Sequence, residues 1–116
     1  MSAGTYDFQI EQGATLTKQF VWKDGSGNLI NLTGYTAKMQ VRRNPASDEV
    51  LLEASTTNGR IALGGSAGTI TLTLSATVTA AITWSRGKYD LELTASNGVV
   101  TRLLEGEITV SKEITR

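Results

Sequence analysis

Apolar and polar residues alternate strictly along the stretch Tyr35-Thr36-Ala37-Lys38-Met39-Gln40-Val41-Arg42. The same period of two recurs at 69–74, where threonine alternates with isoleucine and leucine, and again at 88–94. Successive side chains of a β-strand point to opposite sides of the sheet, so each stretch has one apolar face and one polar face. The pattern predicts antiparallel strands that cover a core with one face.

Less regular stretches bring the predicted set to about eight strands. They are Thr5–Ile10, Ala14–Trp22, Val50–Glu53, Arg60–Leu63, Val99–Leu104 and Glu107–Val110. Lys18 interrupts the apolar stripe of its stretch, and Val99–Leu104 is apolar on both faces, which is typical of a central strand or an interface. Asn97-Gly98 predicts a two-residue type I′ hairpin turn, which needs positive φ at both positions.

One segment, 75–82, departs from the period of two. Ser75 is a candidate N-cap, and Val78, Ala81 and Ile82 have the spacing of one helical face, so we expect a helix of about two turns. Many short strands and one short helix predict an all-β sandwich, with a small barrel as the structural alternative. The length of 116 residues matches one domain, so residues 1–116 are expected to share one core.

The composition narrows the functions available to such a domain. The chain has no cysteine and no histidine, so it lacks disulfides, thiolate nucleophiles and the usual imidazole bases and metal ligands. Eleven basic and eleven acidic residues give a net charge of zero, which disfavours nucleic acid and membrane surfaces as partners. We therefore expect a non-enzymatic binding or structural protein that uses no cofactor and no metal.

Two patterns that would support other functions are weak. Glu105 and Glu107 share a strand face at a spacing that would suit a glycosidase, but the seven aromatic residues are too few to line a sugar cleft. The same shortage disfavours a carbohydrate-binding module. Asp24–Asn28 offers oxygen ligands like the start of a calcium loop, but Leu29 stands where that loop requires glycine. A hairpin turn is the better interpretation of this stretch.

Apolar residues near both ends of the chain indicate either a subunit interface or closure of the domain's own core. Exposed strand edges offer unpaired N–H and C=O groups to a neighbouring chain, so terminal strands are suited to docking. The candidate interface residues are Tyr6, Phe8, Val99, Leu103, Ile108 and Val110. Both alternatives stay open for them at this point.

Several stretches of the sequence resemble a known family. They are Ile10–Thr15, a Trp-x-Asp-x-x-Gly-Asn stretch at Trp22–Asn28, Leu32–Ala37 with Met39–Arg42, Thr71–Ser75, Tyr89–Leu93, Arg102–Gly106 and Ile108–Ser111. Together they resemble small virion proteins of tailed phages and prophages, and the N-terminal domain of siphophage baseplate upper proteins. The resemblance implies an immunoglobulin-like antiparallel β-sandwich that docks onto other virion proteins and has no catalytic residues.

The resemblance also implies where such a protein works. It would be made in the host cytoplasm, reside in the virion and form a homo-oligomer in the assembled particle. Baseplate proteins of this kind continue into a receptor-binding region, whereas this sequence ends at Arg116. We therefore expect a tail- or baseplate-associated adaptor or accessory subunit. A capsid decoration protein of the phage head is the first alternative, and a carbohydrate-binding module is the second.

Overall fold

The computed structural model describes residues 4–115, which contain nine β-strands, one α-helix and one short 3-10 helix. The strands are β1 (Gly4–Thr5), β2 (Phe8–Glu11), β3 (Leu16–Val21), β4 (Thr36–Arg42), β5 (Leu52–Ser55), β6 (Ile61–Leu63), β7 (Thr69–Leu74), β8 (Arg86–Thr94) and β9 (Val100–Ser111). The helix α1 (Ala76–Ala80) connects β7 to β8, and the 3-10 helix Gly65–Ala67 lies between β6 and β7.

The strands form two sheets that enclose one core. The large sheet has the order β1-β9-β8-β4-β5, with β2 also paired to β9, and the small sheet has the order β3-β7-β6. Immunoglobulin domains place strands B, E and D in one sheet and strands C, F and G in the other. Here β3, β7 and β6 take the places of B, E and D, while β4, β8 and β9 take those of C, F and G. The predicted immunoglobulin-like β-sandwich is confirmed.

The N-terminal strands differ from the predicted antiparallel arrangement, because β1 and β2 run parallel to β9. Between β1 and β2 a side chain replaces the backbone in the ladder: Oδ1 of Asp7 accepts a hydrogen bond from the Glu107 amide at 2.8 Å. Gly106 lies directly beneath this crossing, and a Cβ atom there would overlap the backbone carbonyl oxygen of Tyr6. Glycine therefore permits the close approach of the N-terminal segment to β9.

The core contains the apolar residues that the period of two selects. They are Ala37, Met39 and Val41 from β4, Ile70, Leu72 and Leu74 from β7, and Tyr89, Leu91 and Leu93 from β8. Phe8, Ile108 and Val110 are buried in the same core. The side chains of these three candidate interface residues thus pack inside the domain.

β9 is one long strand where the sequence predicted two, since 100–104 and 107–109 belong to a single ladder with β8. The register of that ladder shifts by one residue at Leu103, which is the extra residue of a β-bulge. Because the bulge resets the alternation of side chains, Leu103 and Leu104 both pack against the core. The bulge explains why this stretch is apolar at successive positions.

The turn between β8 and β9 is not the predicted two-residue type I′ turn. The amide of Gly98 donates to the carbonyl of Ala95, and the amide of Ala95 donates to the carbonyl of Val99, both at 2.9 Å. Gly98 has a φ of 90°, whereas no non-glycine residue of the described chain has positive φ. A type I′ turn needs positive φ at both central residues, so Asn97 excludes it, and Gly98 closes a longer loop instead.

The helix α1 has five residues and is shorter than the predicted segment 75–82. Ser75 is its N-cap as predicted, with Oγ accepting a hydrogen bond from the amide of Val78 at 3.3 Å. The buried helical residue is Thr79, whose hydroxyl donates to the carbonyl of Ala14 at 2.9 Å and accepts from the amide of Gly13 at 3.1 Å. The helix is therefore attached to the β2–β3 turn by hydrogen bonds. Of the predicted apolar face, Val78 and the buried Ile82 pack against the core, whereas Ala81 is exposed. Within residues 4–115, no helix has the length and apolar character needed to cross a membrane.

Candidate docking surfaces

The outer face of the large sheet is densely charged. It forms a shallow concavity of about 780 Å³, whose lining includes Lys38, Gln40, Arg42, Lys88, Asp90, Glu92, Arg102, Glu105 and Glu107. Charges of opposite sign pair across the strands, with 3.2 Å between Lys88 and Glu107 and 3.4 Å between Arg102 and Asp90. Exposed pairs of this kind add little stability. Because the two signs are interspersed, the face favours neither a polyanionic nor a polycationic partner.

The carboxylates considered for sugar cleavage lie on this charged face. Glu107 is bound by Arg86 at 3.4 Å and by Lys88 at 3.2 Å, while Glu105 makes no ion pair within residues 4–115. The aromatic residue that lines the concavity is Tyr89, and its side chain is buried in the core. The face therefore presents two carboxylates without an exposed ring on which a sugar could stack.

The predicted hairpin turn at 24–28 is present and is closed by its own first side chain. Oδ1 of Asp24 accepts hydrogen bonds from the amides of Ser26 at 2.9 Å and Asn28 at 3.0 Å. These amides stabilise the charged form, the Asn28 amide most, and lower the pKa of Asp24 below its ordinary value of 3.8. Over the described residues, no group of three or more acidic side chains converges as ligands for a metal ion.

Three loops meet at one end of the sandwich, which we call the loop end: the β3–β4 loop (22–35), the β6–β7 loop (64–68) and the β8–β9 loop (95–99). Two backbone hydrogen bonds of 2.9 Å join the first loop to the second, from Trp22 to Gly68 and from Leu32 to Gly65. Backbone hydrogen bonds of the kind found in the sheets therefore fix the first two loops of the loop end relative to each other.

Exposed apolar side chains are concentrated at the loop end. Val99 and Val100 are 58% and 56% exposed, and Val21 and Leu29 are 48% and 50% exposed. Val21 ends β3 and Val100 begins β9, and the strand directions bring both of these strand ends to this end of the sandwich. These residues are four of the seven large apolar residues exposed in the described chain. Such a concentration is typical of a contact surface.

A second surface lies along the long side of the sandwich where the N-terminal segment faces β3, and we call it the open side. Tyr6 is 38% exposed there, and its ring stacks on Phe8 at 5.9 Å and meets Phe20 edge-on at 5.5 Å. The hydroxyl of Tyr89 donates to the backbone carbonyl of Tyr6. Burial, and then the nearby Asp7 carboxylate, raise the pKa of Tyr89 well above its ordinary range.

Lys18 is the cation of the open side, and its position explains the interrupted stripe of β3. It lies on the inner face of the strand and pairs in register with Leu72. Its ammonium donates to the hydroxyl of Tyr6 at 3.3 Å and lies 5.8 and 5.9 Å from the ring centroids of Tyr6 and Phe8. The aliphatic stem thus covers apolar surface while the charge reaches the opening between the sheets. In the described chain, no carboxylate lies within ion-pair distance of Lys18.

The six candidate interface residues do not form one patch. Phe8, Ile108 and Val110 belong to the core and Leu103 is half-buried at the bulge, so Val99 at the loop end and Tyr6 on the open side are the exposed ones. Val21 and Leu29 were not among the predicted interface residues, Val100 was covered only by the stretch Val99–Leu104, and Lys18 was noted only as the interruption of its stripe. A usable signal was available for the first two, because they flank the turn at 24–28, where an apolar side chain has little core to cover.

No protein-family model matches the chain, and no curated protein matches it in sequence. Among solved structures, the chain is similar to the extracellular domain of the voltage-gated sodium channel β4 subunit, with 12% identity and a TM-score of 0.47 over 98% of this chain and 97% of that one. The parallel homodimers of the β4 domain are described as explaining that protein's role in cell–cell adhesion. The assignment of the fold to this chain depends on its own strand order.

Proposed function

We propose that the protein is a non-enzymatic structural subunit of a tailed-phage particle, associated with the tail or baseplate, and that it docks onto other virion proteins through its loop end. The exposure of Val99 and Val100, and of Val21 and Leu29 at the same end of the sandwich, is the observation that carries this proposal. The sequence resemblance to phage virion proteins is the reason for proposing a phage particle as the assembly.

The free energy available at the loop end is modest for one copy. Full burial of a valine side chain is worth about 1.5 kcal/mol, and Val99 and Val100 each have more than half of their surface still exposed. Covering both therefore contributes about 2 kcal/mol, which corresponds to about thirtyfold in affinity. In the proposal the subunit forms a homo-oligomer in the virion after synthesis in the host cytoplasm, so that symmetric copies add avidity to this weak contact.

The docking proposal is tested by adding the purified chain to phage particles that lack it and measuring co-sedimentation. The double variant Val99→Ser, Val100→Ser should bind about thirtyfold more weakly than the parent chain, because it removes the methyl groups of both valines. Val50→Thr is the matched control, since Val50 is 38% exposed but lies at the opposite end of the sandwich and should bind like the parent. Equal binding by the double variant would refute docking through the loop end.

The position on the particle separates the proposal from its closest alternative. A labelled copy of the chain should be seen on the tail or baseplate by electron microscopy of purified particles. Label over the head shell would instead support a capsid decoration protein and would exclude the tail assignment.

The arrangement of aromatic rings weighs against a carbohydrate-binding module. Most aromatic rings pack against another ring of the chain, and Trp84 is buried. The pairs in contact are Tyr6–Phe8, Tyr6–Phe20, Phe8–Tyr89 and Trp22–Tyr35. We therefore expect no hits on a glycan array and no sugar cleavage. Clear hits, or cleavage lost in the Glu105→Gln variant, would overturn the non-enzymatic docking role.

A further inference from the structure

β3 is an edge strand with one pairing partner, β7. The amide of Trp22, just beyond β3, donates to the carbonyl of Gly68 at 2.9 Å. Ladder hydrogen bonds of antiparallel strands alternate along the chain, so Thr17, Gln19 and Val21 direct their N–H and C=O groups away from β7. None of these backbone groups has a hydrogen-bond partner within residues 4–115.

The other sheet edges are better closed. On β5, the carbonyl of Glu53 accepts from the side chains of Arg60 at 2.8 Å and Asn58 at 3.1 Å, and the amide of Ser55 donates to the side chain of Asn58 at 2.9 Å. β9 is covered by β1 and β2 over most of its length, and β6 has three residues. The edge of β3 is therefore the longest open edge in the described part of the chain.

The side chains of β3 define what this edge would accept. Thr17, Gln19 and Val21 on the outer face are uncharged, and they are opposed by Thr73, Thr71 and Thr69 of β7. On the inner face, the ammonium of Lys18 lies beside the rings of Tyr6 and Phe8, without a carboxylate partner in the described chain. A half-buried cation of this kind gains most from a carboxylate that arrives with a partner chain.

We propose that the open edge of β3 binds an extended segment of a partner protein, which adds a fourth strand to the small sheet and places an acidic side chain on Lys18. The backbone groups of Thr17, Gln19 and Val21 supply the main-chain hydrogen bonds of strand addition. Alternation then places uncharged residues of the segment on the outer face and its acidic residue on the inner face, beside Tyr6. This surface shares only Val21 with the exposed residues of the loop end, so the failure of docking through Val99 and Val100 leaves it standing.

The probe for this site is a blocked peptide as long as β3, made of alternating threonine and valine with glutamate in place of the central valine. It is titrated into the labelled chain, and amide signals and hydrogen exchange are followed by NMR. We expect shifts and slower exchange at Thr17, Gln19 and Val21. The same peptide with glutamine in place of glutamate should bind about tenfold more weakly, since it forms no charged hydrogen bond to Lys18.

Two variants and one control make the test specific. Lys18→Met should abolish the preference for the glutamate peptide, whereas Lys23→Met, which removes an exposed lysine just beyond β3, should preserve it. Gln19→Pro removes a solvent-facing donor of the edge and should abolish binding while the rest of the spectrum stays folded, because proline is compatible with edge strands. Signal changes elsewhere on the chain, or equal binding of both peptides, would overturn the proposal.

The inner-face lysine has a competing explanation, because inward-pointing charges on edge strands also prevent unwanted strand pairing. If Lys18 only blocks the edge, the Lys18→Met variant should bind the glutamine peptide more tightly than the parent chain binds the glutamate peptide. That result would refute a docking role for Lys18.

Discussion

The hydroxyl of Thr79 offers the sharpest test of how the fold is held at the end opposite the loop end. Thr79 is fully buried, and its hydroxyl joins α1 to the β2–β3 turn by bonds of 2.9 Å to the carbonyl of Ala14 and 3.1 Å to the amide of Gly13. The single hydroxyl hydrogen is shared with the carbonyl of Ala76 at 3.2 Å within the helix. Valine has nearly the same shape, so Thr79→Val removes the two bonds to the β2–β3 turn and leaves the packing intact. Each bond is worth about 1 kcal/mol, which predicts a loss of about 2 kcal/mol in the free energy of unfolding.

Chemical and thermal denaturation followed by circular dichroism would measure this loss, and the melting temperature should fall by about 8 °C. Thr77→Val is the matched control, since Thr77 lies in the same helix but is exposed, and its effect should stay within about 0.5 kcal/mol. Thr79→Ser should retain part of the stability because it keeps the hydroxyl. Equal stability of Thr79→Val and the parent chain, or equal losses in the two valine variants, would refute the assignment.

Three further predictions concern Gly106 of β9, Tyr89 in the core and the charged face. Gly106→Ala should destabilise the fold by about 2 kcal/mol or more, because its Cβ atom would overlap the carbonyl of Tyr6, while Gly25→Ala, with open space around it, should be nearly neutral in the same denaturation experiment. Because burial raises the pKa of Tyr89 above its ordinary value of 10.0, the unfolded chain loses this proton first as the pH rises. The free energy of unfolding should therefore fall above about pH 10, and Tyr89→Phe should reduce this fall. Arg102→Gln breaks the exposed pair with Asp90 and should cost less than about 1 kcal/mol; a larger loss by denaturation would show that the charged face is structural.

Local periodicity was sufficient to predict the central strands and the cap of the helix. The alternation of apolar and polar residues in β4, β7 and β8 indicates which side chains face the core. Ser75 acts as a helix cap by accepting a hydrogen bond from the amide of Val78, three residues away. These features depend on residues close together in the chain. The sandwich followed from the number of strands and the turns between them.

The features that the sequence could not predict depend on distant parts of the chain. Parallel pairing of β1 and β2 with β9 joins the two ends of the chain, and periodicity within each strand has no information about it. The bulge at Leu103 depends on the register against β8, so its stretch resembled a two-sided interface. The burial of Thr79 could not be predicted either, because its partners Gly13 and Ala14 lie more than sixty positions earlier.

The same limit applied to the candidate interface. Phe8, Ile108 and Val110 are apolar whether they close a core or meet a partner, and only the packing of β2 against β9 decides between the two. Val99 is exposed because it lies in the β8–β9 loop, beyond the end of the core. The only sign of this exposure in the sequence was the predicted turn that follows β8.

Site-specific photo-crosslinking during particle assembly tests the docking role most directly. A photoreactive residue at position 99 should give a covalent product with a second virion protein, recovered from purified particles and identified by mass spectrometry. The same residue at position 50 should give none, because that exposed position lies at the far end of the sandwich. Crosslinks at 50 but not at 99, or the absence of the chain from the particles, would contradict the account.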